Sequence, residues 1–599
     1  MAAFGRPLII SKDPMFSNRY AARVVGASVC LAACVTTVAA QASGGIATPP
    51  VPQAKPELPR KFTPLPTSPA ITPQDLMSRL YVFADDSMQG REAGTPGHVR
   101  GTEYIVRELT RLGLKPMGEN GTYYQVVPLV NSKLDMVSAT LKSDGRPLVA
   151  GRDFQPVPGV LGLDFPVHAN VQSAPFVFGG RLGANDAIRP DSAKGKIIVF
   201  TPPVGQNGMP GYQIWALDQQ LASYKDAAGV LVSSLELTPP PLIAVLQDEQ
   251  MELQKPESQS DKPPIAIISQ ATVSQLFGAP ADSLRVGRAG KAGTFTFGFK
   301  NDPPPAPSRN VVAMVEGSDP RLKGQMIAIS AHSDHVGLSS EKVDHDSLRL
   351  LDVITRPMGA ESGERPLTPP ERAKFMAALD SVRKLRPPRP DSISNGADDD
   401  GSGSMGLLEL AEYFQTLPQK PKRSMLFVWN VAEEKGLFGS EWFTEHPTVP
   451  RDSIIADINI DMIGRGDADD LENGGPDYLQ ILGSRRLSTE YGDWIEEVNK
   501  KPGFNFRFDY QFDAPGHPQQ YYCRSDHWNF ARWAIPTVFF STGSHVDYHM
   551  VTDEPEYIDY THYAKVVQFV GAVASDIAAR PNRPLVDKPK PDPHGECKQ

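Results

Sequence analysis

Two adjacent carboxylates, Glu433 and Glu434, follow an apolar run in VWNVAEEKGLFGSEWF. Met425 to Val428, with Trp429, Val431 and Ala432, reads as a buried parallel strand that delivers the pair to its carboxyl end, where open α/β sheets bind ligands. Neighbouring acids repel, so a buried pair needs a compensating charge or separate tasks. A metal ion supplies both: one carboxylate coordinates it, and the other takes a proton from the water it acidifies. Taken alone, the dipeptide reads more readily as a solvated acidic turn. Other strand ends change that reading. QMIAISAHSDH ends in His332 with Asp334 two residues on, NGADDDGSG presents Asp398, Asp399 and Asp400 before a helix, INIDMIG ends in Asp461, and His549 follows a strand and turn. This set of oxygens and imidazoles lacks thiolate. It suits zinc, with cobalt or manganese as alternatives, and its carboxylates are numerous enough for two ions. Each motif has a bland counterpart in a satisfied histidine or a helix-capping aspartate; their coincidence at successive strand ends points to a metal centre.

The elements that must position these groups are legible in the pattern. QMIAISAH, MLFVWNVA, IIADINID, YLQILGS and IPTVFFST are strand candidates, and SGSMGLLELAEYFQTL is a helix with Leu407, Leu410, Ala411 and Phe414 on one face. The alternation predicts an α/β fold, a mostly parallel central sheet flanked by helices, across residues 301–580. Residues 71–130 add two helices. The first has Thr72 as cap, Pro73 at its first position, Asp75 placed to answer the cap and Leu76, Leu80 and Phe83 on its apolar face; the second, VRGTEYIVRELTRLGL, ends at Gly113. Between them lies GREAGTPGH, a turn that packs the helices together or brings Arg91 to the site. Short β-branched runs broken by Gly and Pro make residues 131–300 a smaller β-rich domain. It carries no chemistry in this reading and either covers a neighbouring cleft or simply packs. Residues 338–392 form a long polar insertion, expected as a surface excursion near the site mouth.

Composition sets the remaining bounds. The chain has 599 residues, 40% hydrophobic and 22% charged, enough for two or three domains with real cores. A net charge of -10 without a long basic run excludes nucleic acid as the expected partner and favours a small or peptide substrate. Arg19 and Arg23 before VVGASVCLAACVTTVAA, with a small-residue cleavage site near Ala40, make residues 1–40 an export signal too short to span a membrane. LAAC, ending at Cys34, also fits a lipid-anchoring box, so secreted, periplasmic and lipoprotein placements all remain open. Residues 41–70 read as a Pro- and Ala-rich linker and 581–599 as a Pro- and Lys-rich tail. Only Cys523 and Cys597 lie beyond the signal, which makes no disulfide framework. No oligomeric state follows from the sequence.

Through AHSDHVG, SNGADDDGSGSMGLLELA, AEEKGLFGS, NIDMIG, RSDHWNFARWAIPTVFF and YHMVTD, the chain resembles the two-zinc aminopeptidases of the bacterial secreted type, relatives of glutamate carboxypeptidase and the transferrin receptor. The β-rich segment resembles that family's protease-associated domain. The resemblance implies that Asp399 bridges two zinc ions, that His332 and Asp461 complete one site and Glu434 and His549 the other, and that Glu433 is the base. It places the Asp334 carboxylate to accept the second ring proton of His332. Tyr548 either donates to a tetrahedral oxyanion or packs, and Arg524, Asp526 and His527 either shape the cleft or support its loop. The insertion after Gly337, and Asp400 where many members carry Asn, depart from the family pattern. The implied activity is removal of amino-terminal residues from peptides. A glutamate-releasing carboxypeptidase, a one-metal glutaminyl cyclase and a receptor-like binding module without activity are the alternatives.

Overall fold

The computed structural model describes residues 58–599, apart from 158–164, 204–219, 255–259, 261, 364, 469 and 472. The export segment, Cys34 and the first part of the linker lie outside the described residues. Two compact units emerge, Pro128–Pro305 forming the body of one, and the flanking segments up to Val127 and from Ala306 forming the other.

The site-bearing unit is built on a nine-stranded sheet. At its centre the strands Ser424–Asn430, Met326–His332, Ile454–Ile460 and Thr537–Ser541 run parallel to one another. Arg309–Val315 pairs antiparallel on one side and Tyr478–Leu482 antiparallel on the other, while the edge strand Arg507–Asp509 pairs parallel with Tyr478–Leu482, so the sheet is mixed with its longest parallel run in the middle. Every residue of the four central strands is buried. Such continuous burial is why their sequences are nearly unbroken apolar runs rather than alternating ones: helices cover both faces. On one face Leu407, Leu410, Ala411 and Phe414 of the helix Gly403–Thr416 join Leu76, Leu80 and Phe83 of Pro73–Phe83 and the helix Tyr560–Ala579 in a single core. On the other, Phe443 and Phe530 pack against Met326, Leu426 and Val428.

The first helix starts as its sequence demands, with the Thr72 hydroxyl accepting from the Asp75 N–H at 3.1 Å. The Asp75 carboxylate does not return the bond but holds Ser68 at 2.8 Å. The second runs from Pro96 to Leu112 and stops at Gly113, whose φ of 72° a side chain would strain. From Leu58 the expected linker instead lies against this unit, with Leu58 and Phe62 packed on its core and Thr67 bonded to Glu412 at 2.7 Å. Its few apolar residues, sparse enough to read as a tether, pack on that core. The tail is likewise held. Cys523 and Cys597 form a disulfide across 74 residues, a pairing no local pattern could announce.

The β-rich unit has an eight-stranded sheet, in which Ala169–Arg181 lies between Ala289–Phe297 and Ile197–Thr201, and a three-stranded sheet built around Leu129–Leu134. Separate apolar cores fill the two faces of the larger sheet. No described helix in either unit is long and apolar enough to cross a membrane.

Candidate metal centre

The donor residues stand at carboxyl ends of the central strands, where the chain leaves regular structure. His332 closes its strand. Glu433 and Glu434 follow the next after a left-handed Ala432 (φ 58°), and Asp461 is succeeded by a left-handed Met462 (φ 58°); His549 itself has φ 57°. Non-glycine residues in this region carry backbone strain that surrounding structure must over-determine, a common signature of functional sites. The acidic triplet, with a cis peptide between Asp399 and Asp400, precedes the helix Gly403–Thr416.

All five expected ligands converge, in two groups that share Asp399. Around its Oδ1, His332 Nε2 lies at 3.2 Å, and the same nitrogen is 3.5 Å from Asp461 Oδ1. Around its Oδ2, His549 Nε2 lies at 2.9 Å and reaches Glu434 Oε2 at 3.0 Å. His335, to which the sequence reading assigned no role, joins the second group, its Nδ1 at 2.8 Å from Glu434 Oε1 and 3.6 Å from Asp399 Oδ2. Within each group one donor atom per residue lies within 4.8 Å of the others. Asp399 Oδ2, Glu434 Oε2 and Asp461 Oδ1 are buried yet accept no aligned hydrogen bond among the described residues. Their lone pairs converge with imidazole nitrogens instead of pairing off, which is what a cation site requires and a hydrogen-bonded core does not. The oxygen and imidazole composition fits zinc.

Electrostatics separates the paired acids. Burial pushes Glu433 well above the usual carboxylate range, with Asp461 and Glu434 adding to it against the pull of His332. Glu434 is also buried and faces Asp399, but His549 and His335 hold it down at about 2. Asp399 is held well below its usual range, against burial, by the imidazoles of His332, His549 and His335 around it. His332 is correspondingly raised, against burial, by Asp461 and Glu433. Two adjacent carboxyls in environments that push them apart are suited to different tasks, one as a permanent anion and one as a proton carrier.

Supporting contacts set the orientation of these groups. The Asp334 carboxylate does not take the His332 ring proton. The main-chain carbonyl of Asp334 lies 3.1 Å from His332 Nδ1 and its carboxylate 3.8 Å away, while the carboxylate accepts the Glu433 N–H at 3.3 Å. Spacing placed the residue beside the ring but could not say which of its oxygens faces it. Asp400 bonds the N–H groups of His332, Gly403 and Met462 at 2.8–3.2 Å, tying three segments together. Ser525 donates to Asp461 at 2.8 Å. His335 enters because Gly396 has no side chain: a Cβ there would lie 2.5 Å from its ring. Asp526 and His527 are buried, and His527 stacks on Phe539. The Tyr548 ring stacks on His549 with centroids 4.0 Å apart, and its hydroxyl is 3.4 Å from the Arg524 guanidinium.

The insertion reaches this region as well. Its Ala360 N–H bonds the Tyr548 carbonyl at 3.0 Å, and Glu361 pairs with Arg524 at 2.5 Å and bonds the Tyr521 hydroxyl at 2.6 Å. Gly359 meets Tyr548 so closely that a Cβ would lie 2.5 Å from its carbonyl oxygen.

A sheet whose strand ends gather buried carboxylates and imidazoles around a common aspartate presents a candidate metal centre. Residues 310–574 match the family described as Peptidase family M28. It is similar to a vacuolar membrane protease of Verticillium alfalfae, 41% identical over 78 residues, 13% of this chain and 8% of that protein. It is also similar to leupeptin-inactivating enzyme 1 of Streptomyces exfoliatus, 38% identical over 77 residues, 12% of this chain and 18% of that one. The chain thus spans under a fifth of the length of either relative. A solved aminopeptidase from Aneurinibacillus sp. strain AM-1 aligns over 87% of this chain and 97% of its own, at 16% identity and a TM-score of 0.42.

Proposed function

We propose that the chain is an exported zinc-dependent exopeptidase that removes amino-terminal residues from peptides. One observation carries this reading: donors from separate strand ends gather in two groups with Asp399 common to both. In it, His332, Asp399 and Asp461 hold one zinc ion and Asp399, Glu434 and His549 a second. Bound zinc lowers the pKa of water toward neutrality and polarises a carbonyl. Glu433, with its side chain 4.0 Å from His332 Nε2, takes the proton of the attacking water and returns it to the leaving amine. Tyr548, whose phenol burial keeps protonated, donates to the oxyanion that forms. No covalent intermediate is needed.

A carboxypeptidase would need a cation available for the substrate carboxylate. Arg524, the guanidinium beside Tyr548, is already paired with Glu361, which favours the amino-terminal reading. The convergence of the whole donor set weighs against a binding module without activity. The β-rich unit is proposed as a protease-associated domain on its resemblance, and the Cys523–Cys597 bridge supports an oxidising compartment.

The test compares wild type with Glu433→Gln on a leucyl substrate with a free amine and on peptides blocked at either end, with zinc measured on both proteins. The variant keeps its zinc and loses turnover by about 10²–10⁴-fold, and amino-blocked peptides resist the wild type. Undiminished turnover in the variant removes Glu433 from the reaction, and cleavage of amino-blocked but not carboxyl-blocked peptides reverses the direction.

A further inference from the structure

GREAGTPGH has no part in the chemistry above, yet it touches three of the loops that carry it, those after His332, before Asp399 and at Glu434. Arg91 is fully buried, with φ 46°. Its guanidinium lies 4.3 Å over the Phe83 ring and donates to the carbonyls of Phe83 at 3.0 Å, Asn395 at 2.6 Å, Gly396 at 2.9 Å and Ser333 at 3.3 Å. Ser333 follows His332 directly, and Asn395 and Gly396 open the loop that ends in Asp399. The Arg91 carbonyl accepts the His335 N–H at 3.3 Å, and His98 Nε2 meets the Ser333 hydroxyl at 3.0 Å. Glu92 pairs with Lys435, next to Glu434, at 2.7 Å.

A buried cation that spends its donors on main-chain carbonyls of two separate loops fixes the distance between those loops. Packing two helices together would not require a charge in this place, since an apolar side chain fills space without the desolvation cost. We infer that Arg91 is a positioning residue of the metal centre, its planar fork setting the separation of the His332 and Asp399 loops, with His98 and Glu92 bracing the same strand ends. The inference rests on the metal-centre reading. It assigns this role to the guanidinium fork specifically, because a lysine ammonium keeps the charge but cannot reach four carbonyls from one plane.

The experiment measures zinc affinity of the full chain by competition with a chelator of known affinity, alongside melting of the metal-free protein and separate kcat and KM values. Arg91→Lys is expected to melt within a few degrees of wild type, to bind zinc about 10–100-fold more weakly, and to lose kcat more than it gains KM. A folded Arg91→Lys with wild-type zinc affinity overturns the inference alone, whereas a wild type that takes up no zinc overturns the metal-centre reading and the inference with it. If Arg91→Lys does not fold, His98→Gln carries the same readout: weakened zinc binding in the folded variant supports the clamp, and unchanged binding overturns it.

Discussion

At the scale of single residues, the site divides work between groups of the same type. Glu433 and Glu434 are neighbours in sequence, yet the imidazoles of His335 and His549 meet only the second, which in the proposed reading leaves the first to carry a proton. Tyr548 is the residue whose role is most directly separable from metal binding. Its ring stacks on His549, but in this reading its hydroxyl acts only on the oxyanion. Tyr548→Phe keeps the stack and removes the donor, so kcat should fall by about 10²–10³-fold, the usual cost of one oxyanion donor, with zinc content unchanged. Loss of zinc in parallel with activity would instead make the tyrosine a structural support for His549.

At the scale of elements, the segment Ser544–His549 is held from both sides. Asp547 receives Arg465 at 2.8 Å and, from the insertion helix His345–Thr355, Arg349 at 3.0 Å. Burial alone would raise the Asp547 carboxyl, but these two guanidinium groups bring it down to about 2. Its folded value lies below the unfolded value of about 3.9. The resulting stability, about 2–3 kcal/mol, is therefore fully present above pH ~4 and is lost as pH falls from there through 2. Asp547→Asn has no such titration, so the gap in unfolding free energy between variant and wild type should narrow by about 1.5–2 kcal/mol between pH 5 and 2.5. A gap that stays constant over this range in urea titrations would contradict the assignment. The same contacts explain why the insertion, read from its polarity as a surface excursion, also packs against the segment Ser544–His549. Its charges are spent on specific partners, and polarity alone does not distinguish a solvated charge from a paired one.

At the scale of the whole molecule, the disulfide between Cys523 and Cys597 ties the last residues of the chain to the loop that supplies Arg524 and Ser525. The Gln599 side chain adds bonds to the Tyr522 N–H and the Phe512 carbonyl at 3.0 Å. Closing a loop of this length restricts the unfolded chain and is worth about 2–4 kcal/mol. Cys597→Ser should lower the melting temperature to that of wild type treated with reductant, and reductant should then change the variant no further. Identical melting of wild type with and without reductant would show that the bridge contributes nothing to the fold.

The sequence by itself determined the central strands, the helices Pro73–Phe83 and Gly403–Thr416, and the positions after the strands where donors stand. Regular elements have a fixed period, so apolar spacing states which residues face the core. It left GREAGTPGH as a turn that either packs two helices or brings Arg91 to the site, and could not show what Arg91 holds. Only the tertiary structure decided which atoms meet: that His335 joins the Glu434 group, that the Asp334 carbonyl rather than its carboxylate faces His332, that Cys523 reaches Cys597, and that residues from Leu58 dock on the core. These lie in irregular backbone, where no periodicity relates sequence spacing to direction, and their partners are tens to hundreds of residues away, brought together only when the sheet and its covering helices bury their apolar faces.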